Sequence, residues 1–237
     1  MHHVIRKGPR LTRKNPTRRF VIPDIHGCAL TLDRLLRQVI RLTRRDELYL
    51  LGDYIDRGPR SKEVLEILMA LAMKGYRVYP LRGNHEEMLL GSCRDRDQFR
   101  LWTMNGGRQT LASFGVEDPC EIPIQYRRFL ADLPYYRVIE GFVLVHASLN
   151  FSLPDPLIDR LAMLWDRSLD VRPELIGGRK VIGGHTPMTR EELRRMLDTD
   201  RIVLDNGCVY VERSGMGNLV ALELDSMTLH FQENIDQ

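Results

Sequence analysis

LYLLGDYIDRG, residues 48–58, decides the fold. The apolar run LYLL reads as a strand buried on both faces. Asp53, Asp56 and Arg57 follow it at once. Polar side chains just past a strand's carboxyl end stand where open α/β sheets place their sites. Four more segments repeat the pattern: FVIPDIHG (20–27), LRGNHE (81–86), FVLVHA (142–147) and VIGGHTP (181–187). Together they supply Asp24, His26, Asp53, Asn84, His146 and His185, a mixed oxygen and imidazole set that suits two metal ions. That inventory points to phosphoester chemistry.

The spacing assigns work to each group. Asp24 and His26 are two apart at a strand end, so both side chains face one ion. The two oxygens of Asp53 can bridge two cations, which an imidazole cannot do. Asn84, His146 and His185 complete the second ion, and histidine suits Mn, Fe or Zn. Four of the chain's seven histidines follow apolar runs, His85 beside Asn84 and His26 two residues from Asp24, a pattern that packing alone does not explain. Two metals about 3.5–4 Å apart clamp a phosphate and activate a bridging water for in-line attack, with no protein nucleophile. The chain accordingly has no G-x-S-x-G elbow and no P-loop spacing around Gly177-Gly178 or Gly183-Gly184, and its one C-x₅-R string (28–34) runs into the helical pattern and forms no phosphate loop. Arg57 can bind phosphate oxygens bidentately. His85 can protonate the leaving alkoxide, with Asp56 as the carboxylate that holds its tautomer.

Outward from these strings the chain alternates strand and helix. Phe20–Ile22, Leu48–Leu51 and Val78–Leu81 read as strands. Leu30–Leu42 reads as an amphipathic helix. A second helix starts at Ser61 as N-cap and closes at Gly75. That βαβαβ rhythm implies parallel pairing with right-handed crossovers. Residues from about 86 to 133 read as a helical excursion that either walls a cleft or simply packs. Strands return at 136–139, 142–145, 180–182, 202–204, 219–224 and 228–232. The expected fold class is α/β, with two sheets packed face to face and helices outside.

The 237 residues, 43% of them hydrophobic, can bury a full core. No stretch of about twenty residues is free of charge, which excludes a spanning helix, and no secretory signal is recognised. Four scattered cysteines (Cys28, Cys93, Cys120, Cys208) lack any C-x-x-C and read as buried thiols in a reducing cytoplasm. Residues 1–19 hold seven basic side chains and no acid; without them 28 basic face 32 acidic groups, a body of about −4. The net +3 therefore belongs to a basic arm, read as a solvated leader, with nucleic-acid contact as the alternative.

The strings DIHG (24–27), GDYIDRG (52–58), RGNHE (82–86), HA (146–147) and GHTP (184–187) resemble, in order, the PPP family of serine/threonine phosphoprotein phosphatases within the calcineurin-like phosphoesterases. The resemblance covers about residues 20–230. It implies a four-layer αββα sandwich of two mixed sheets, with 20–237 as one catalytic domain. It also implies Asp24 and His26 on the first metal, Asp53 as the bridge, and Asn84, His146 and His185 on the second. His85 resembles the family's general acid with Asp56 as partner, Arg57 and Asn84 meet substrate phosphate, and Arg167 in LWDR (164–167) resembles a second clamp. A single histidine in GHTP, instead of G-H-x-H, argues against a nuclease. DNGCVY (205–210) replaces the eukaryotic SAPNY-type loop, and W-x-x-NGG-x-x-T (102–110) resembles the compact bacterial and phage-type branch. The expected activity is Mn²⁺-dependent hydrolysis of phosphoserine and phosphothreonine in proteins, with Fe, Zn or Mg as other metals. Symmetrical cleavage of diadenosine tetraphosphate, with Trp102, Tyr54 or Tyr126 stacking on a nucleoside, is the alternative, as is broad small-phosphoester hydrolysis. A binding module with a dead site, anchored by the arm, is the reading from another class.

Overall fold

Side-chain alternation along short apolar strands sorts this molecule into layers. In the computed structural model, which describes residues 17–237, strand β1 (Arg19–Ile22) sends Phe20 and Ile22 to one face and Val21 to the other. Strand β2 (Glu47–Leu50) divides the same way, Leu48 and Leu50 against Tyr49. They join β3 (Arg77–Pro80), β8 (Asn218–Glu223) and β9 (Thr228–Glu233) in one sheet, ordered β3-β2-β1-β8-β9. The first three strands are parallel, with Phe20 opposite Leu48 and Leu48 opposite Val78; β8 and β9 run antiparallel. The second sheet is β4 (Tyr136–Ile139), β5 (Phe142–Val145), β6 (Lys180–Gly183) and β7 (Arg201–Val203), with only β4 antiparallel.

Val21, Tyr49, Leu51 and Leu222 meet Leu144, Ile182, Ile202 and Leu204 between the sheets. Outside the first sheet, Phe20, Ile22, Leu48 and Leu50 pack under α1 (Ala29–Arg34) and α2 (Ser61–Met73). Outside the second, Val143, Val145 and Val181 pack under Leu149, Phe151 and Met163, the last on α7 (Arg160–Trp165). Each such buried side chain stabilises the fold by roughly 1.5–3 kcal/mol. The result is the expected αββα order of two mixed sheets.

The excursion is α3 (Asn84–Ser92), α4 (Arg96–Trp102), a π turn Thr103–Gly107, α5 (Arg108–Phe114), a 3₁₀ turn Pro119–Glu121 and α6 (Ile124–Ala131). Leu89, Trp102, Leu111 and Leu130 join the core of the first sheet. The expected helix at 30–42 is shorter: α1 ends at Arg34 and continues as a π turn Leu35–Val39. Ser61 is not an N-cap; it is the first helical residue, and its Oγ accepts the Asp56 amide at 3.0 Å. In place of a local cap on α1, the Asp236 carboxylate accepts the amides of Leu30 and Thr31 at 3.0 and 2.9 Å. The basic groups at positions 6, 7, 10, 13 and 14, and with them the nucleic-acid reading, lie outside the described residues. Arg18 and Arg19, counted with that arm, belong to the fold: Arg18 pairs with Asp46 at 2.7 Å and Arg19 with Asp225 at 2.8 Å.

Candidate active site

Parallel strands end at one edge, so the turns after β1, β2, β3, β5 and β6 converge. Their meeting point is one atom. Asp53 Oδ2 lies 3.7 Å from His26 Nε2, 3.8 Å from His85 Nε2 and 3.5 Å from His146 Nε2. Two sets of ligating atoms share it: His26, Asp53 and His85, and Asp53, His146 and His185, each within 4.8 Å. Asn84 Oδ1 belongs to the second, 2.8 Å from His146 Nε2 and 3.1 Å from His185 Nδ1. Asp24 is in neither set, though it is near enough to act on Asp53 and His146. Its two oxygens accept the His185 amide at 3.0 and 3.1 Å, tying the β1 turn to the β6 turn.

The protons show what this cluster can hold. His26 Nδ1 faces the Ile55 carbonyl at 2.9 Å and His146 Nδ1 the Leu51 carbonyl at 3.0 Å. Burial holds both imidazoles below their ordinary value, hence neutral. A neutral ring carries one proton and a carbonyl only accepts, so that proton sits on Nδ1 and Nε2 is bare. Burial and the neighbouring His146 push His185 down to about 2, so it too is neutral. His26 Nε2 and His146 Nε2 therefore point bare lone pairs toward Asp53 Oδ2, and His146 Nε2 also meets Asn84 Oδ1. Burial and the nearby Asp24 carboxylate push Asp53 well above the usual carboxylate range, and Asp205 likewise. Imidazole lone pairs within 4 Å of a carboxylate, in a pocket where buried acids repel one another, fit divalent cations of the mixed N/O class.

Beside this cluster stands a separate pair. His85 Nδ1 lies 2.7 Å from Asp56 Oδ2, with both side chains almost fully buried. Trp102 Nε1 donates to the same oxygen at 2.8 Å, and Thr110 Oγ1 donates to Asp56 Oδ1 at 2.6 Å. Burial lifts Asp56 to about 7 and depresses His85, whose next-largest influence is the Arg57 charge. The excursion thus has a structural duty, because its Trp102 and Thr110 fix the carboxylate that holds His85. Asp56 makes no surface ion pair with Arg57.

The turn that carries these groups is strained. Asp53, Asp56 and Arg57 have φ of 52°, 72° and 66°, a region costly for residues with a Cβ. Glu86 holds it in place. Fully buried, it accepts the Asp53 and Gly83 amides on Oε2 at 2.8 and 2.9 Å and the Tyr54 amide on Oε1 at 2.8 Å. Tyr54 donates its hydroxyl to the Leu81 carbonyl at 2.7 Å. The GDYIDRG and RGNHE turns are therefore one unit.

Arg57 donates toward His26 Nε2 at 2.7 Å and His85 Nε2 at 3.0 Å. Its amide bonds to the Gly106 carbonyl at 3.2 Å. Among the arginines between HA and GHTP, Arg160 stacks on Tyr135 and Arg179 bonds the Ile176 carbonyl, whereas the charge of exposed Arg167 acts on His185. Trp165 stands edge-on to His185 at 6.1 Å and is 42% exposed. Tyr210 is half-buried beside Arg57 at 5.9 Å. Tyr54, Trp102 and Tyr126, expected to stack on a nucleoside, are instead buried, each with its polar atom bonded inside the protein.

Sequence reasoning gave no role to Glu86, Thr110, Asp205 or Arg201, and it offered Trp102 to a nucleoside and not to Asp56. Arg201 is a buried guanidinium that donates to the Ala147 carbonyl, under the HA string; burial lowers it to about 10. A buried arginine within a strand gives no sequence signal of its own. Trp102 and Thr110 did give one, the W-x-x-NGG-x-x-T spacing, which carries both to Asp56.

Comparison with known proteins agrees with this geometry. Residues 17–205 match the family described as calcineurin-like phosphoesterase, and the chain belongs to that family of metallophosphoesterase hydrolases. It is 31% identical over 210 residues to serine/threonine-protein phosphatase 1 of Salmonella typhimurium, covering 85% of this chain and 91% of that one. A shorter stretch of 75 residues is 41% identical to a symmetrical bis(5'-nucleosyl)-tetraphosphatase of Delftia acidovorans, 32% of this chain and 26% of the relative. A protein serine/threonine phosphatase from Saccharomyces cerevisiae, similar to human phosphatase PP5, shares the fold at TM-score 0.66 and 16% identity, over 93% of this chain and 81% of its own. Among the described residues no helix is long and apolar enough to cross a membrane.

Proposed function

We propose that this chain is a two-metal phosphomonoesterase acting on phosphoserine and phosphothreonine in proteins. The observation that carries the reading is the place of Asp53 Oδ2, shared by both sets of ligating atoms. Asp24, His26 and Asp53 would hold one ion; Asp53, Asn84, His146 and His185 would hold the other. Two divalent ions, which we assign as Mn²⁺, supply Lewis acidity that activates a water and offsets phosphate charge. Arg57 gives its two donors, now turned to His26 and His85, to phosphate oxygens, and Arg167 meets the phosphate from the other wall. Burial and, after it, the Arg57 charge depress His85; an anion on Arg57 would offset the second and favour a proton on His85 Nε2. His85 then donates it to the leaving alkoxide, with Asp56 supporting the imidazolium.

Two observations favour phosphoproteins. Similarity to the Salmonella phosphatase runs over 91% of that protein, while the tetraphosphatase match covers 26% of its relative. The three aromatic side chains proposed to stack on a nucleoside are also committed to the interior. The dinucleotide reading keeps two supports, the 41% identity to a tetraphosphatase over 75 residues and the place of Trp165 and Tyr210 beside His185 and Arg57. A side-by-side assay on phosphopeptides and diadenosine tetraphosphate separates the two. The expected kcat/KM is at least about tenfold higher on the peptides, a margin of roughly 1.4 kcal/mol. Chelation should abolish turnover and added Mn²⁺ should restore it. Higher turnover of the dinucleotide would make the chain a tetraphosphatase.

Gly106 tests the arginine clamp. Its φ is +106°, and a Cβ there would stand 2.8 Å from Arg57 N and Cγ. Gly106→Ala should displace Arg57 and lower kcat/KM on the order of 10- to 100-fold, with metal content unchanged. Wild-type kinetics in this variant would remove Arg57 from phosphate binding.

A further inference from the structure

The four cysteines were expected to be scattered buried thiols. Folding instead brings them together in two pairs. Cys28 and Cys208 are buried, and Asn234 Nδ2 touches both, 3.5 Å from Cys28 Sγ and 2.8 Å from the Cys208 carbonyl. Cys93 and Cys120 meet near the surface. Cys93 ends α3, Cys120 lies in the 3₁₀ turn Pro119–Glu121, and Cys120 Sγ is 3.5 Å from the Cys93 carbonyl. Cys93 is half-buried and Cys120 exposed. Both line an open cavity of about 340 Å³, together with Arg94, Arg96, Asp95 and Asp118.

The acids beside them are already occupied. Asp95 caps α4 by accepting the Asp97 amide at 2.9 Å, and Asp118 accepts the Cys120 amide at 2.7 Å. Among the described residues, metal-ligand clusters occur at the active site and not here. Two thiols with no third ligand, open to solvent and beside two guanidinium groups, form a dithiol and not a metal site.

We propose that Cys93 and Cys120 are a reversible modification site that takes low-molecular-weight disulfides and closes to an internal Cys93–Cys120 disulfide. Cys93, which shares the cavity with Arg94 and Arg96, loses its proton and attacks one sulfur of the small disulfide. That S–S bond breaks, a mixed disulfide forms on Cys93, and the displaced thiolate takes up a proton. Cys120 then loses its proton and attacks the Cys93 sulfur, expelling the second small thiol. Two protein thiols give up two electrons, and one disulfide becomes two thiols. Cys120 is suited to the second step. Its Sγ already stands 3.5 Å from the Cys93 carbonyl, and contact with Cys93, with burial and Asp118, lifts the Cys120 thiol to about 11, so Cys93 is the first to react.

The new bond would close the loop that holds α4, the π turn and α5, and therefore Trp102, Gly106 and Thr110, which support Asp56 and Arg57. It staples the brace of the catalytic pair without touching a metal ligand. Closing such a loop should raise Tm by about 5 °C or more.

The test uses the reduced full chain and oxidised glutathione. Non-reducing peptide mapping should find Cys93 joined to Cys120, two of four thiols lost, Tm raised, and all three reversed by dithiothreitol. In Cys120→Ser the second step is blocked, and glutathione should remain on Cys93. The proposal is overturned if no thiol reacts in the wild type, if Cys28–Cys208 forms in its place, or if glutathione stays on either surface cysteine without the internal bond.

Discussion

Replacing His85 with asparagine should lower kcat on a phosphoserine peptide about 10³-fold and kcat on p-nitrophenyl phosphate only about tenfold. The difference lies in the leaving group. A serine alkoxide must be protonated as it departs, whereas p-nitrophenolate leaves unaided. His85 is placed for the task because Asp56 accepts from its Nδ1 at 2.7 Å and leaves Nε2 turned toward Arg57. Asp56→Asn should follow the same pattern, since an amide cannot accept from His85, Trp102 and Thr110 at once. His85 Nε2 also lies 3.8 Å from Asp53 Oδ2, within reach of a role as metal ligand. Steady-state kinetics with metal analysis separates the two. Equal losses on both substrates, with lost metal, would make His85 a ligand and not the acid.

Glu86 should produce the largest loss of stability. Glu86→Ala leaves three buried amides, those of Asp53, Tyr54 and Gly83, without their acceptor. Each orphaned donor costs roughly 1–3 kcal/mol, so a total of about 4 kcal/mol is expected. For a chain of this size that is a fall in Tm of roughly 8–16 °C. Glu86→Gln keeps the shape but turns an NH₂ group toward backbone N–H groups, and should lose about half as much. Thermal unfolding monitored by circular dichroism measures both. A shift of under 2 °C for Glu86→Ala, about 0.5–1 kcal/mol, would mean that the left-handed turn at 53–57 holds without its clamp.

The strands, and the gathering of the polar groups that follow them, were legible because each apolar run is short and each is followed at once by its polar group. Two faces of burial leave FVLV and LYLL little choice of conformation, and β5 matches its expected bounds. Side chains whose partners are distant in sequence were not legible. Trp102 bonds an aspartate 46 positions earlier and Thr110 the same one 54 positions earlier, so the W-x-x-NGG-x-x-T string could be seen but its partner could not. The aromatic residues offered to a nucleoside were read as surface for the same reason. Nothing local says that the Tyr54 hydroxyl is claimed by Leu81 or that of Tyr126 by Glu66. Ser61 misled in the other direction. It looks like a helix cap, yet tertiary structure directs its oxygen to Asp56.

The central claim is that Asp53 is common to two cation sites. Metal analysis by mass spectrometry, on protein loaded with Mn²⁺ and freed of excess, tests it most directly. Two ions per chain are expected in the wild type and fewer than one in Asp53→Asn. A wild type that retains one ion or none, or an Asp53→Asn variant that still retains two, would contradict it.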